Sequence, residues 1–552
     1  MSSAGHPKHS ENRTVHFALV AAFTLSTLCN GPVALAENPN NTSGVVVLTN
    51  PDVSYGAGAG TITVHGMRKG QSDGPKQDKP LRAVPGGGNK GKPGGGGGSS
   101  DPVVQSTFAT SNGSLATGLN FEGLGNGFPN FSVNSAPPDT NGAVGATQYV
   151  QWVNESFAVF DKSTGALLDG PIAGNELFQA LGATHPCAVN NDGDPIAQYD
   201  KVNNRWILTQ FSVTNGGSLG FWQCIAISKT GDATGAYNVY AYKQPNFNDY
   251  PKFGVWNGTY YATYNIFSGN SFAGARLCAY DGASMRAGAT AAEQCFQLSN
   301  SFGGVLPADV DGATAPPSGS NEYFLNFGAN SLNTWRFHVD FTTSSNTTLT
   351  GPYTTSVATF SEACNGATCV PQPGTSQQLD SLGDRLMYRL SYRHFSDGHE
   401  ALFVNHSVNP GSVVAGVRWY ELRPATSGGV TVTQQSTYAP GGSLNRWMGS
   451  IASDKNGNLA VGYSTSSGSS SPAIHYSYRT PTDTLSTLGS EQLVFAGSGS
   501  QLRNLNRWGD YSAMTVDPVD DCTFWYTNEY LLSSGTFNWH THIASFKVAG
   551  CH

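Results

Sequence analysis

Two stretches of this chain begin with the same three residues: NRWMGSIASDKNGNLAVGYS runs from Asn445 to Ser464, and NRWGDYSAMTVDPVDDCTFWYTNEY runs from Asn506 to Tyr530. In both, a short alternating segment leads to an Asp-started turn and then to a second apolar segment. Short segments of this kind, bounded by turn residues, are typical of antiparallel strands. The two stretches therefore predict one β-unit that the chain uses more than once.

Five similar segments lie upstream: PPDTNGAVG, GDPIAQYD, NDYPKFGVW, PADVDG and GDRLMYRL. We call the aligned residue of each segment a start, because it is predicted to precede the first strand of a repeated unit. The seven starts are Asp139, Asp194, Asp249, Asp309, Asp384, Arg446 and Arg507, at intervals of 55, 55, 60, 75, 62 and 61 residues. Self-similarity at such a period indicates a propeller or an array, and four short strands in each unit favour the propeller. We predict an all-β fold, a seven-bladed β-propeller of four-stranded blades over residues 103–552. The interval of 75 leaves six or eight blades open.

The last unit ends before a fourth strand, so the segment from Val103 to Phe121 is predicted to supply it and close the ring. Residues 37–65 are predicted to be a short N-terminal segment that could form a hairpin. The Gly/Pro-rich composition of residues 66–102 predicts a disordered linker. Residues 1–36 have the basic, apolar and small-residue regions of a signal peptide that ends at Ala36. We therefore expect a secreted, extracellular protein.

Charge and hydropathy narrow the classes of partner. The net charge of -8 and the absence of a basic stripe argue against nucleic acid, because phosphate binding needs a concentrated basic surface. No later segment approaches ~20 uninterrupted apolar residues, which argues against membrane insertion. We expect a monomer.

Eight cysteines follow the signal peptide, and an even number in an exported chain favours disulfides. Sequential pairing is predicted: Cys187 with Cys224, Cys278 with Cys295, Cys364 with Cys369, and Cys522 with Cys551.

The first strand of every propeller blade lines the central channel, so residues just before those strands converge at one mouth. The predicted ligand-binding residues there are Arg385, Arg446, Arg507, Asp139, Asp249, Tyr250, Tyr388 and Tyr511. The predicted catalytic carboxylates are Asp384, Asp510 and Asp194. Guanidinium groups bind carboxylates and sulfates through paired donors, and aspartates serve as acid and base in glycoside cleavage.

From these residues we predict that the protein binds an acidic polysaccharide or a cell-surface glycan. We also predict that it cleaves this ligand, as a glycoside hydrolase or polysaccharide lyase. Two alternatives remain open at this point. The Arg and Asp side chains could instead be ion pairs that fasten neighbouring blades, with Trp447 and Trp508 as wedges. The propeller could also be a non-catalytic scaffold for binding glycans or proteins.

No cofactor is certain from the sequence. The clustered oxygens and glycines of DVDG at Asp309 and NNDGD at Asn190 suit structural calcium, although ordinary Asx turns share this composition. His540 and His542 would lie on one face of a strand, as in a zinc or copper site, although a solvated final strand explains them equally.

With its predicted blades, signal peptide and arginine cluster, the chain resembles the sialidase-like superfamily of bacterial propellers. The segments PPDTNGAVG and RWGDYSAMTVDP are similar to those of a group of exported bacterial proteins without an assigned activity. The resemblance spans about residues 135–552. It implies that Arg385, Arg446 and Arg507 correspond to the arginine triad of sialidases. No Tyr–Glu nucleophile pair is identifiable.

Overall fold

The computed structural model describes residues 44–70, 76–79, 82–85, 101–214 and 216–552. This part of the chain is mostly β-strand. The predicted signal peptide lies outside the described residues, and so does most of the Gly/Pro-rich linker. None of the helices in the described part is long and apolar enough to cross a membrane.

Seven short strands precede the repeated part of the chain. They are β1 (Val46–Leu48), β2 (Asp52–Gly56), β3 (Thr61–Thr63), β4 (Gln77–Asp78), β5 (Val104–Gln105), β6 (Leu115–Glu122) and β7 (Ser135–Ala136).

The following strands form antiparallel groups, which we call units 1 to 7. Unit 1 contains β8 (Asn141–Val144), β9 (Gln148–Val153), β10 (Ser156–Asp161) and β11 (Leu167–Ala173). Unit 2 contains β12 (Ile196–Asp200), β13 (Arg205–Ser212), β14 (Phe221–Ser228) and β15 (Ala236–Gln244). Unit 3 contains β16 (Phe247–Trp256), β17 (Thr259–Ser268), β18 (Ser271–Tyr280) and β19 (Ala291–Gln297). Unit 4 contains β20 (Leu306–Asp311), β21 (Glu322–Gly328), β22 (Ser331–His338) and β23 (Thr348–Ser356).

A two-stranded ribbon, β24 (Thr368–Val370) and β25 (Leu379–Asp380), separates units 4 and 5. Unit 5 contains β26 (Met387–His394), β27 (Glu400–Val408), β28 (Gly416–Pro424) and β29 (Val430–Tyr438). Unit 6 contains β30 (Asn445–Ser453), β31 (Leu459–Ser466), β32 (Ala473–Arg479) and β33 (Gln492–Phe495). Unit 7 contains β34 (Ala513–Val516), β35 (Thr523–Tyr530) and β36 (His540–Val548).

Helices are short and lie in the connections. The α-helices are α1 (Pro186–Val189), α2 (Gly216–Leu219) and α3 (Gly282–Ala287), and the 3-10 helices are Gly174–Leu181, Ser344–Asn346 and Ala363–Gly366.

The first strands of the units contact one another in a cyclic order. β8 contacts β12, and the series continues through β16, β20, β26 and β30 to β34, which contacts β8 again. Between units 4 and 5 the contact is a parallel pairing of β20 with β26. Residues that precede these strands are therefore brought together at one end of the ring.

Unit 7 obtains its fourth strand from the N-terminal part of the chain. β6 pairs antiparallel with β36, with Phe121 opposite Ile543 and Leu115 opposite Val548. The prediction that the segment before the first unit completes the last one is confirmed. Pairing across the two ends of the chain covers an edge that would otherwise expose unpaired backbone groups.

The residues predicted as a short N-terminal hairpin pair elsewhere. β3 adds a fifth strand to unit 2, β2 adds one to unit 3, and β1 adds one to unit 4. β5 likewise pairs with β29 at the outer edge of unit 5, in parallel orientation.

A residue with positive φ lies shortly before the first strand, or inside it at a register shift, in six units. These residues are Asp139, Asp194, Tyr250, Gly304, Met448 and Asp510. This backbone feature differs from the predicted alignment of starts, because Asp309 lies inside β20. The two Asn-Arg-Trp tripeptides also differ in position: residues 445–447 are the first three residues of β30, whereas residues 506–508 precede β34, which begins at Ala513.

The four predicted disulfides are confirmed. Cys187 is bonded to Cys224, Cys278 to Cys295, Cys364 to Cys369, and Cys522 to Cys551. Cys278 and Cys295 are direct partners on the neighbouring strands β18 and β19. Four disulfides are typical of proteins that fold in an oxidising compartment.

Candidate functional site

A cavity of about 340 Å³ lies where the chain enters units 2, 3, 5 and 7. It is lined by Gln77, Lys79, Arg82, Asp192, Asp194, Phe211, Val213, Thr214, Phe221, Phe247, Asp249, Tyr250, Phe267, Gly269, Arg385, Arg507 and Asp510. The lining combines aromatic rings with both signs of charge, which is the usual make-up of a pocket that orients a polar ligand.

The apolar wall of the cavity is a cluster of four phenylalanines from units 2 and 3. The ring of Phe247 lies 6.0 Å from Phe211, 5.7 Å from Phe221 and 6.2 Å from Phe267, measured between centroids. The guanidinium carbon of Arg82 stacks 4.4 Å above the Phe247 ring. Phe221 and Phe247 are partly exposed, whereas Phe211 and Phe267 are buried, so the first two offer apolar surface to a ligand.

Arg385 is held in place by its neighbours. Its Nε donates to Asp384 Oδ1 at 2.8 Å and its Nη2 donates to Asp384 Oδ2 at 3.1 Å. The guanidinium also stacks 4.6 Å from the centroid of the Tyr250 ring. The Asp384 carboxylate is thus bound to Arg385 and does not appear in the described cavity lining.

Arg507 is the second arginine of the cavity and joins three parts of the chain. Its Nη2 donates to Asp510, its Nη1 donates to the Lys79 carbonyl at 2.8 Å, and its Nε lies 3.6 Å from Asp380 Oδ2. The second oxygen of Asp510, Oδ1, is buried without a hydrogen-bond partner among the described residues.

Three of the predicted carboxyl groups have raised pKa values: Asp194 and Asp249, which line the cavity, and Asp139, which is buried outside its described lining. Burial raises the pKa of Asp249 to about 7, with a contribution from the negative charge of Asp194. Burial also raises the pKa of Asp194 and, to a greater extent, that of Asp139. Carboxylic acids that hold a proton near neutral pH can act as proton donors. Asp249 combines this property with a position in the cavity wall.

Lys252 lies beneath the mouth, between two tyrosine rings. Its Nζ lies 3.5 Å from the ring centroid of Tyr250 and 3.9 Å from that of Tyr511, and it donates to the Pro251 carbonyl at 2.9 Å. The side chain is fully buried, and burial lowers the pKa of Lys252 to about 7.

The tyrosine hydroxyls connect the units across the channel. Tyr250 donates to the carbonyl of Asp510 at 3.2 Å, and Tyr511 donates to that of Pro195 at 3.0 Å. Tyr388 is buried deeper, where its hydroxyl accepts from Gln198 Nε2 at 3.1 Å. Tyr388 and Tyr511 therefore fill the channel, whereas Tyr250 also lines the cavity.

Arg446 is not brought to the cavity. It is 1 % exposed, and its Nε and Nη2 donate to Glu491 at 2.7 and 2.9 Å. Trp447 and Trp508 contact each other with centroids 6.0 Å apart. For Arg446, the arrangement agrees with the fastening alternative rather than with a ligand site.

Sequence reasoning missed several residues of the site. Lys79 and Arg82 belong to the segment interpreted as a disordered linker, yet β4 pairs in parallel with β7 and carries Lys79 to the mouth. The sequence could have indicated Lys252, since it follows Asp249 and Tyr250 in the segment of the third start. No sequence pattern indicates the phenylalanines, because their strands pair normally and the rings converge only in the tertiary structure.

The residues considered for metal binding have protein partners. Asp309 and Asp311 bind Arg389, and Asp311 also accepts from Lys201 at 2.9 Å. His542 lies 3.4 Å from Glu122, and the His540 ring contacts Tyr530. Structural calcium at Asp309 or Asn190 stays a prediction.

No protein-family model matches the chain, and no curated protein matches it. Among solved structures, an endo-arabinase from Bacteroides thetaiotaomicron is 11 % identical, with 63 % of this chain and 92 % of that chain covered and a TM-score of 0.26. An ulvan lyase bound to saccharide is 11 % identical, with 78 % and 96 % covered and a TM-score of 0.28. The N-terminal domain of Nup159 is 10 % identical, with 81 % and 99 % covered and a TM-score of 0.34. Likenesses at this level carry no argument about activity.

Proposed function

We propose that the protein is a secreted, monomeric, seven-bladed β-propeller that binds an extracellular glycan in the cavity at the mouth of its channel. The proposal of seven blades is supported by the cyclic contacts of β8, β12, β16, β20, β26, β30 and β34. Membership of the sialidase-like superfamily belongs to the same proposal.

The observation that carries the proposed binding function is the composition of the cavity wall. The Phe247 cluster can pack against the apolar face of a sugar ring, while the carboxylates of Asp194 and Asp249 can accept hydrogen bonds from its hydroxyl groups. A sugar ring has an apolar face beside its hydroxyl groups, so an aromatic wall next to several acceptor groups matches both kinds of surface.

A preference for acidic glycans is supported by Arg385 and Arg507. Both guanidinium groups line the cavity and have fixed orientations, although each already binds an aspartate of the protein. A ligand carboxylate or sulfate would therefore share these arginines with Asp384 and Asp510.

Cleavage of the bound glycan is supported by Asp249. Glycoside hydrolysis requires a carboxyl group that is protonated when the substrate binds and a second, ionised carboxylate. Asp249, with its pKa of about 7, would be the proton donor. Asp194 would be the second group: burial raises its pKa, but the charges of Lys79 and Lys252 favour its ionised form. Asp384 and Asp510 are bound by arginines and are less suited to this role than expected.

A glycan array and a polysaccharide digestion panel, each with acidic and neutral members, test the proposal. Binding that is lost in Phe247→Ala and weakened in Arg507→Lys would support the site. Product formation that is lost in Asp249→Asn, with binding retained, would support cleavage, whereas binding without product would leave a non-catalytic scaffold. A folded protein that binds no glycan in either panel would refute the proposed function.

A further inference from the structure

The ammonium group of Lys79 is enclosed by oxygen atoms of units 1 and 2. Its Nζ donates to Asn154 Oδ1 at 2.5 Å and to the backbone carbonyl of Asp192. Asp194 Oδ1 lies 3.9 Å away. An amide oxygen, a backbone carbonyl and a carboxylate around one cation are the ligand types that calcium takes in proteins.

A second carboxylate that acts on Lys79, that of Asp139, has no hydrogen-bond partner in the described part of the chain. Asp139 is 1 % exposed, and neither of its carboxylate oxygens has a hydrogen-bond partner among the described residues. Burying an unpaired carboxylate is costly, and such groups are normally paired or bound to a cation.

We propose that Asn154, the Asp192 carbonyl, Asp194 and Asp139 form a divalent-cation site that takes calcium and that the Lys79 ammonium now fills. The two cations exclude each other, so calcium binds when Lys79 leaves. The site includes Asp192 and Asp194 of the NNDGD stretch considered for calcium from the sequence, and it adds Asp139, Asn154 and the exchange with Lys79. Because Asp194 also lines the glycan cavity, calcium binding is measured on the protein without glycan.

Binding of calcium requires the carboxylates to move inward. Within the described part of the chain, the one group of three His, Cys, Asp or Glu ligand atoms within 4.8 Å of one another is Cys278, Glu293 and Cys295, whose cysteines form a disulfide. The carboxylates around Lys79 are thus farther apart than that. Rotation of Asp139 and Asp194 toward the vacated position would close the distance.

The attachment of Lys79 is slight enough to permit exchange. β4 consists of two residues, and its pairing with β7 is accompanied by hydrogen bonds from Gln77 N to the Asn134 carbonyl at 2.7 Å and from Lys79 N to the Ala136 carbonyl at 2.9 Å. A short peripheral strand of this kind opens locally at low cost compared with the strands of the ring.

The test is a calcium titration of the chelator-treated, full-length mature protein, followed by calorimetry and by melting temperature. Lys79→Met keeps the length of the side chain and removes its charge, so it should bind Ca²⁺ at least ten-fold more tightly than the wild type. Lys76→Met, which changes an exposed lysine three residues away, should behave as the wild type. The double variant Lys79→Met/Asp139→Asn should lose the gain.

A folded Lys79→Met that binds Ca²⁺ no more tightly than the wild type would overturn the proposal, as would a gain that survives Asp139→Asn. If Lys79→Met folds only when Ca²⁺ is supplied, the proposal is supported. If it folds neither with nor without Ca²⁺, while Lys76→Met folds normally, Lys79 is an essential structural cation and the exchange does not occur.

Discussion

Arg446 and Arg507 hold the same place in the Asn-Arg-Trp tripeptide and have different partners. Arg446 is the second residue of strand β30, whereas Arg507 lies in the segment that precedes β34. Arg507 reaches the cavity and binds Asp510, whereas Arg446 binds Glu491.

Replacement of Arg446 by Ala should destabilise the protein and leave glycan affinity unchanged. The change leaves the Glu491 carboxylate, which is only 12 % exposed, without its partner, and the expected loss is about 3–5 kcal/mol in the free energy of unfolding. Urea unfolding and glycan titration measure the two effects. Arg507→Ala is the matched comparison, and a loss of affinity in Arg446→Ala equal to that in Arg507→Ala would contradict this assignment.

The stability of the folded protein should respond to the protonation of Asp249 between pH ~4 and ~7. The ordinary pKa of an aspartate is about 3.9, and burial raises that of Asp249 to about 7. Because the folded form binds the proton more tightly than the unfolded chain, protonation of Asp249 contributes to the free energy of unfolding at low pH. This contribution is lost as pH rises through the window. Asp249→Asn should therefore be more stable than the wild type above pH ~7 and equal to it near pH ~4. Parallel stability curves for the two proteins would rule this out.

Lys252 should produce a slope of the opposite sign at higher pH. An ordinary lysine has a pKa of about 10.4, and burial lowers that of Lys252 to about 7. Between these values the unfolded chain binds more protons, so the free energy of unfolding should rise with pH. Lys252→Met should flatten this rise, as measured by urea unfolding from pH ~7 to ~10. An unchanged slope in the variant would show that Lys252 does not titrate there.

At the scale of one element, β6 is the strand that joins the two ends of the ring. Leu119 N donates to Ser545 Oγ at 2.9 Å, and a Cβ at Gly118 would meet that hydroxyl and would lie 3.0 Å from the Ser545 carbonyl oxygen. The strand thus approaches β36 too closely at this position for a side chain.

Gly118→Val should consequently separate β6 from β36 and lower the melting temperature by several degrees. Ala116→Val, at an exposed position of the same strand, is the matched control and should change it little. Hydrogen exchange of the amides of β36 would increase in the first variant only. Equal protection in both variants would mean that β6 does not stabilise unit 7.

At the scale of the whole molecule, the N-terminal strands run along the outer edges of three units in reverse order of the chain. Asp52 is bound by Arg276 at 2.7 Å, and Ser54 donates to Glu293 at 2.7 Å. These contacts cover strand edges that would otherwise pair with other molecules.

A chain that starts at residue 66 should keep its ring and aggregate more readily than one that starts at residue 44. Removal of β1, β2 and β3 exposes the edges of β23, β19 and β15. Circular dichroism would report a largely retained β-structure, and light scattering would report association. A shortened chain that remains monomeric with the same melting temperature would show that the edges need no cover.

Much of this fold could be predicted from the sequence. The disulfide pairing followed from the order of the cysteines along a chain of consecutive units, and the strand supplied by residues near Phe121 followed from the missing strand of the last unit. The positions of the starts were predicted less accurately. Asp309 lies inside β20, where it pairs with Arg389, and it resembles the other starts only in the composition of its segment.

The sequence by itself determined the local pattern, since strand, turn and repeat signals depend on residues that are neighbours along the chain. Only the tertiary structure decided which of the equivalent residues meet. Arg385, Arg507 and Asp249 reach the cavity while Arg446 does not, and Lys79 enters it from a segment whose composition predicted disorder. The physical reason is that ring closure and the pairing of distant segments, such as β4 with β7, decide which side chains meet, and both depend on residues far apart along the chain.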